Sequence, residues 1–295
     1  MSDVKVLERH QIAIYLGALA AGAAVGLTWP GTSHPLEAGI YPVLGALLYL
    51  TFLQVPFTQV TAGFRDARFL VTVLAVNFVA VPLAVAGLVA VAPLEQAVLL
   101  GVLLTMLTLC IDYVIVFSGL AGGDSQRLVA ASPLLMLAQL AVLPVLLWLF
   151  VGPELADIVE IRPFVEAFGI LILLPLALAW TSQAFAARRR AGQVVIRGLN
   201  AAMVPVMAAT LFVVVGSQVP KLRGRFNDVA TAVPVYAAFL VVMAVVGVAA
   251  ARVARLDVGR ARALVFTGAT RNSLVVLPLA LALPAAYAVT PAIVV

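Results

Sequence analysis

The chain has 295 residues, of which 64% are hydrophobic and only 11% are charged. An ordinary soluble domain is about 45–50% apolar and about 25% charged, so this composition, with a mean hydropathy of +1.15, excludes a water-soluble fold. The net charge of +5 comes mainly from arginines in short gaps between apolar runs, which indicates membrane orientation and not nucleic-acid binding.

Nine apolar runs along the chain are long enough to cross a bilayer core of about 30 Å as helices of about 20 residues. These runs are Gln11–Trp29, Leu36–Phe57, Phe69–Val91, Leu94–Leu120, Leu128–Val151, Pro163–Phe185, Leu199–Gln218, Val229–Ala251 and Arg262–Leu283. A tenth run begins near Tyr287 and stops at Val295, so we expect ten helices with the last one truncated. The first run is interpreted as a retained membrane span and not as a signal peptide.

The basic residues predict how the chain sits in the membrane. With the N-terminus inside, thirteen of the eighteen lysines and arginines fall in cytoplasmic loops, as the positive-inside rule requires. The loop from Lys221 to Arg225 is an exception. We therefore expect a multi-pass protein of the cell membrane with a cytoplasmic N-terminus.

Polar residues interrupt the fourth and ninth runs at mid-depth, once in each half of the chain. They are Thr105, Thr108, Cys110 and Asp112 in the fourth run, and Thr267, Thr270, Arg271, Asn272 and Ser273 in the ninth. Five helices in residues 1–151 and five in 152–295 would give halves of opposite topology, and equivalent polar breaks in two halves indicate a transporter site. The prediction is an all-α integral membrane protein with its site at mid-membrane.

Asp112 and Arg271 are the ionisable residues that the sequence places deep in the membrane. Burying such a charge costs about 2.5–3.5 kcal/mol on insertion scales, so these residues usually face a water-filled cavity or each other. Asp112 is a candidate proton or sodium relay, and Arg271 a candidate anion contact or counter-ion. A static ion pair between two helices is the alternative.

The single cysteine, Cys110, excludes a disulfide framework within one chain. Its sulfur could bind a soft metalloid, although a lone buried cysteine more often acts as a small hydrophobic residue. Uncharged polar residues in other runs either line a cavity or form interhelical hydrogen bonds; they are Asn77, Gln139, Asn200 and Gln218. Gly22 and Gly26 fit close packing of helices.

Several short motifs carry a resemblance to a known family. They are Leu109-Cys110-Ile111, Val114-Ile115-Val116-Phe117, Leu120-Ala121-Gly122-Gly123-Asp124, Ala269-Thr270-Arg271-Asn272 and Gln54-Val55-Pro56-Phe57. In these motifs, and in its order of apolar runs, the chain resembles the arsenite efflux permeases of the bile acid:sodium symporter superfamily. The resemblance implies two inverted five-helix repeats, discontinuous fourth and ninth helices that cross, and arsenite expulsion driven by protons, with the family's cysteine at Cys110.

Two positions depart from the pattern of that family. Its ninth helix carries Asn-Asn-Phe-Glu, where this chain reads Arg271-Asn272-Ser273-Leu274, and the small apolar residue that follows the cysteine and isoleucine is here Asp112. The acidic residue that the family has in its ninth helix would then be replaced by Asp112 in the fourth helix, on the other side of the helix crossing. The cation of Arg271 would discourage sodium binding nearby and favour an anionic substrate unless Asp112 compensates it.

Two transport functions follow from these residues. The first is efflux of arsenite or a related metalloid in exchange for protons, with Cys110, Thr105, Thr108, Asn272 and Ser273 contacting the solute and Asp112 and Arg271 coupling the ion. The alternative is a sodium- or proton-coupled symporter of small organic anions. An intramembrane enzyme or a sensor is disfavoured because one deep acid gives no catalytic pair and the chain offers no soluble output domain. No nucleotide-binding loop, cofactor or resident metal is expected.

Overall fold

The computed structural model describes residues 2–55, 66–110, 113–152, 166, 169–222, 226–284, 287 and 290–294. These ranges are helical apart from short connections, which confirms the predicted all-α class for this part of the chain. Within them, the one extended pairing is an isolated antiparallel bridge between Leu109 and Arg271.

The helices are numbered in chain order. The first six are α1 Ser2–Thr28, α2 Ser33–Gln54, α3 Ala67–Val91, α4 Gln96–Leu107, α5 Tyr113–Leu120 and α6 Ser125–Val151. The others are α7 Gly169–Arg188, α8 Arg190–Ala201, α9 Met203–Gln218, α10 Phe226–Val253, α11 Val258–Ala269, α12 Ser273–Leu281 and α13 Thr290–Val294.

Seven helices in the described part of the chain are long and apolar enough to cross a membrane: α1, α2, α3, α6, α7, α9 and α10. The fourth and ninth predicted runs each contain two shorter helices, α4 with α5 and α11 with α12. Both predicted interruptions are therefore present. The arrangement of ten helices as two inverted repeats remains a prediction.

The helices pack in two groups, which meet beside the interruptions. In the first group α9 packs against α1 and α2, and α7 packs against α2. In the second group α10 packs against α3, α4 and α11, while α12 and α13 pack against α4. Contacts of α2 with α12 and of α9 with α13 join the groups. The interrupted helices therefore belong to one group and face the other.

Glycines allow α1 and α9 to approach closely. A Cβ atom on Gly22 would lie 2.7 Å from the carbonyl oxygen of Phe212, and one on Gly26 would lie 2.7 Å from that of Gly216. No side chain fits at such distances without a shift of the main chain. The close packing predicted from these two glycines is confirmed.

The starts of α3, α6 and α11 share one device, an aspartate that caps the helix. Asp66 accepts a hydrogen bond from the main-chain N–H of Phe69, Asp124 from that of Arg127, and Asp257 from that of Arg260. Each cap satisfies a main-chain donor that the first turn would otherwise leave unpaired.

The three helix starts are joined by charge, and we call Asp66, Asp124, Asp257, Arg127 and Arg260 the charged end. Arg127 and Arg260 both bind the carboxylate of Asp66, Arg260 at 2.9 Å. Burial opposes ionisation of Asp66, but hydrogen bonds from Phe69 and Arg260 and the charges of both arginines outweigh burial, so the pKa of Asp66 is lowered. The main-chain and side-chain hydrogen bonds from Arg260 lower the pKa of Asp257.

The basic loop that departs from the positive-inside pattern contains a paired lysine. The Nζ atom of Lys221 lies 2.6 Å from Oε1 of Glu37, near the start of α2. The neighbouring carboxylate therefore offsets part of that loop's positive charge. The adjoining residues 223–225 lie outside the described ranges.

Candidate functional site

The two interruptions lie against each other and complete each other's main-chain hydrogen bonds. Thr108 and Thr270 have extended conformations at the ends of α4 and α11. The N–H of Asn272 donates to the carbonyl of Thr108 at 3.0 Å, and the N–H of Cys110 donates to the carbonyl of Thr270 at 3.4 Å. Non-helical main chain at membrane depth is tolerated when its polar groups are satisfied within the protein, and the pairing provides this.

Side chains fix the ends of the interrupted helices. The side-chain oxygen of Asn272 caps α12 by accepting from the N–H groups of Leu274 and Val275, at 3.1 and 3.3 Å. The N–H of Leu109 donates to Oε1 of Gln139 on α6 at 2.8 Å. Gln139 is therefore an interhelical hydrogen-bond partner, one of the two roles that the sequence left open for it.

Arg271 folds back onto the end of its own helix. Its Nη2 atom lies 2.6 Å from the carbonyl oxygens of both Thr267 and Gly268, and 2.9 Å from Oδ1 of Asn77 on α3. The two carbonyls belong to the last turn of α11, where helix carbonyls lack partners and carry partial negative charge. The guanidinium carbon also lies 5.6 Å from the ring centroid of Phe239 on α10, within range of a cation–π interaction.

Local backbone geometry and hydrogen bonds orient Asn77 toward Arg271. Residues Val76–Ala80 form one turn of π-helix within α3, a feature often found at functional sites. The Nδ2 atom of Asn77 donates to the carbonyl of Val73 at 3.0 Å and to Oγ1 of Thr267 at 3.4 Å. Because the amide nitrogen is engaged in this way, its oxygen faces the guanidinium.

The positive charge of Arg271 is met by neutral groups in the described part of the chain. The ion pairs found there join other residues, and the Nε and Nη1 atoms of Arg271 are buried without a hydrogen-bond partner in those ranges. Both atoms are enclosed by protein, so a ligand would have to displace neighbouring side chains to reach them. Asp112, the predicted counter-ion and relay, lies outside the described residues.

A cavity of about 370 Å³ lies between the crossing and the first helix group. From the crossing it is lined by Cys110, Thr270, Arg271, Asn272 and Ser273. The opposite wall is mostly apolar and includes Ile12, Leu16, Leu47, Leu48, Met207 and Leu211. This volume is within the ordinary range of about 300–1,000 Å³ for ligand cavities. Four of the seven predicted site residues, Cys110, Arg271, Asn272 and Ser273, thus share one cavity.

A second cavity, of about 330 Å³, is lined partly by the same crossing. Arg271 and Ser273 contribute to its wall together with Thr105, and Tyr236 on α10 faces it. The hydroxyl of Tyr236 donates to the carbonyl of Ile293 at 3.2 Å. Thr105 is thus separated from Cys110, with which the sequence had grouped it.

The remaining predicted contact, Thr108, is fully buried. Its hydroxyl donates to the carbonyl of Leu104 at 2.7 Å. Roles of the predicted residues in binding or coupling remain predictions. In the described ranges no three His, Cys, Asp or Glu residues cluster closely enough to hold a metal ion.

Sequence reasoning did not find the environment of Arg271. Nothing in the sequence distinguishes Phe239 from the other apolar residues of its helix as a partner of Arg271. Asn77 had a detectable signal, since an amide within a membrane span needs a partner. Its partner stands 194 positions later in the chain, so only the folded structure identifies the pair.

Comparison with models of protein families identifies a family for this chain. A family model described as the Sodium Bile acid symporter family matches residues 41–225, which cover more than half of the chain. Comparison with curated proteins finds no match.

Proposed function

The chain belongs to the Sodium Bile acid symporter family, and on that premise we propose that it is a secondary carrier of small organic anions with an apolar body. Membership in this family and several apolar helices of span length make it a membrane protein of a transporter family. The observation that carries the choice of substrate is Arg271, a cationic residue that lines an otherwise largely apolar cavity.

The two walls of the cavity suit the two parts of such a substrate. Nε and Nη1 of Arg271 are buried without a hydrogen-bond partner in the described ranges. A carboxylate that reached them would gain charge-assisted hydrogen bonds, which are strong and directional. Asn272 and Ser273 supply further polar atoms beside it. The apolar side chains of α1, α2 and α9 opposite would bury the hydrocarbon part of the anion.

The second candidate function is efflux of arsenite or a related metalloid in exchange for protons. The observation that favours it is the place of Cys110, which lines the same cavity as Ser273. A single thiol with neighbouring hydroxyls would hold an uncharged arsenic hydroxide weakly, as a carrier requires. In this mechanism the proton would be carried by Asp112. The position of Thr105 in the other cavity and the burial of Thr108 give this candidate less support.

Uptake into proteoliposomes tests both candidates. The probes are arsenite and three monocarboxylates of increasing size, namely benzoate, octanoate and a bile acid. We expect saturable uptake of at least one carboxylate, a rise in KM of about tenfold or more in Arg271→Gln, which removes a charge-assisted contact, and little change in Cys110→Ser. Arg252→Gln, at an exposed position on α10, is the control.

Two results would decide against the anion carrier. One is carboxylate uptake that Arg271→Gln leaves unchanged while the protein is present in the membrane at normal amounts. The other is transport of arsenite alone, abolished by Cys110→Ser, which would select the metalloid carrier.

We also propose the membrane arrangement that the sequence predicts. Two repeats, residues 1–151 and 152–295, would each contribute one interrupted helix, with the N-terminus in the cytoplasm. The support is one break in each half and their mutual pairing. In a Cys110→Ser background, cysteines at Glu95 and Arg127 should react with an impermeant maleimide from opposite sides of the cell membrane.

A further inference from the structure

We propose that the guanidinium of Arg271 is a built-in cation that fills an oxygen site beside the crossing and takes the place of a sodium ion there. Transport by this chain would then proceed without sodium at that site. The statement about transport rests on the proposed function, whereas the statement about the site does not.

The oxygen atoms around Nη2 resemble the surroundings of a bound hard cation. Three neutral oxygens converge on Nη2, two from main-chain carbonyls of Thr267 and Gly268 and one from the amide of Asn77, at 2.6, 2.6 and 2.9 Å. Carbonyl and amide oxygens are ligands that hard cations prefer. The carbonyls also lie at a helix C-terminus, where the helix dipole favours positive charge.

The guanidinium is covalently attached to the chain, so this cation cannot dissociate from the site. Arg271 is three and four positions after the residues whose carbonyls it binds, so its side chain returns over the last turn of its own helix. Phe239 covers the guanidinium from α10. A guanidinium keeps its charge at neutral pH, so the positive charge is permanent and does not depend on an ion gradient.

The other two nitrogen atoms of the Arg271 guanidinium suggest a second role for this residue. Nη2 is committed to the oxygen site, while Nε and Nη1 have no partner within the described ranges. One residue would therefore hold the cation site with one nitrogen and attract the transported anion with the other two.

A simpler role for Arg271 is that of a helix cap, which would stabilise α11 and nothing more. The two roles differ in their response to salt. A cap that is removed lowers stability equally in every monovalent chloride. A vacated oxygen site should bind sodium, and an ion that binds only the folded state raises the melting temperature.

The experiment measures the melting temperature of the purified full-length chain in sodium chloride and in choline chloride at equal ionic strength. We expect the wild type to melt at the same temperature in both salts. Arg271→Ala should melt lower in choline and regain a few degrees in sodium, with saturation as the concentration rises. Arg271→Lys, which keeps a cation, and Arg252→Ala, a surface control, should show no difference between the salts.

Adding Asn77→Leu to Arg271→Ala removes one of the three oxygens and should abolish the recovery in sodium. Asn77→Leu alone should lower the melting temperature equally in both salts, because Arg271 still fills the site. If Arg271→Ala yields no folded protein, Arg271→Met takes its place in the same comparison.

Either of two outcomes would overturn the inference. One is a wild type that sodium stabilises over choline. The other is an Arg271 variant that melts at the same temperature in both salts. Uptake of the carboxylate probes gives a separate readout, expected to be unchanged when choline replaces sodium. Failure to transport any carboxylate would contradict the proposed function and leave the melting comparison valid.

Discussion

The helices α3, α6 and α11 meet at two depths, and the chemistry that joins them differs. At their starts, Arg127 and Arg260 bind the carboxylate of Asp66. The side chain of Asp66 is 17% exposed, and those of the two arginines are 42% and 26% exposed. Charge is thus neutralised by opposite charge at the end of the bundle, where water still reaches the groups.

About three to four turns further along the same helices, the polar residues are amides and one arginine. Gln139 on α6 accepts from Leu109, and Asn77 on α3 accepts from Arg271, which follows α11. At this depth neutral oxygens hold the cation, and no described carboxylate cancels its charge. The difference is that opposite charges neutralise each other at the charged end, whereas at mid-depth a positive charge held by neutral oxygens lies beside a cavity. On the proposed function, the first arrangement would serve stability and the second transport.

The largest effect in this comparison is expected at Gln139. Gln139→Met keeps the length of the side chain and removes the acceptor for the N–H of Leu109, which would be left unpaired inside the membrane. An unsatisfied buried donor costs about 1–3 kcal/mol, and the crossing would lose its link to α6. We expect transport to fall about tenfold or more, with a lower melting temperature in detergent.

Two variants make that result specific. Gln139→Glu in its neutral form keeps an acceptor oxygen and should retain more activity than Gln139→Met. Leu137→Met, at a half-exposed position on the same helix, should behave as wild type. Full activity in Gln139→Met would show that the hydrogen bond to Leu109 is dispensable.

The sequence predicts the position of the interruptions because polar residues are costly in apolar helices and therefore stand out. Their partners are harder to predict. Thr105 and Thr108 are close in sequence, yet one lines the second cavity and the other is buried against Leu104. In a helix that is apolar on every side, hydrophobic periodicity does not identify the inward face, so sequence alone could not separate them. The oxygen site of Arg271 depends on a helix end and on a distant amide, both fixed by tertiary packing.

The next largest effect is expected for Asn77→Asp, which places a carboxylate beside Arg271, as carboxylates lie beside arginines at the charged end. The new carboxylate would lie where Oδ1 of Asn77 now lies, 2.9 Å from Nη2 of Arg271, and would cancel its charge. We expect the KM for the carboxylate probes to rise several-fold. The melting temperature should fall, because the second carboxylate oxygen would replace the Nδ2 donor and face the carbonyl of Val73. Uptake assays and melting curves on the same preparations measure both quantities.

Asn77→Ser is the matched neutral change, since it shortens the side chain without adding charge. It should affect KM less than Asn77→Asp does. If both variants raise KM equally, the loss of the amide, and not the cancelled charge, explains the effect, and the contrast between the two depths would lose its functional meaning.

The smallest effect is expected at the charged end itself, in Asp66→Asn. The pKa of Asp66 is lowered in the folded protein, so its ion pairs contribute stability above the unfolded pKa of about 3.9 and lose it as pH falls through the lower folded value. The contribution of Asp66 to the melting temperature should therefore be constant between about pH 5 and pH 8 and should be lost progressively below about pH 4. Because the pairs are partly exposed, Asp66→Asn should cost only about 1 kcal/mol at neutral pH.

The decrease of the melting temperature at acid pH distinguishes the loss of this ion pair from a general loss of packing. Asp66→Asn has no carboxylate to protonate at that position, so its melting temperature should fall less than that of the wild type between about pH 5 and pH 3. Glu95→Gln, at an exposed position before α4, should show the same decrease of melting temperature at acid pH as the wild type. Carboxylate uptake at neutral pH should remain within about twofold of wild type in Asp66→Asn, since a surface ion pair contributes at most about 1 kcal/mol. A tenfold loss of uptake would mean that the charged end takes part in the transport cycle, and that stability and function are not divided between the two depths.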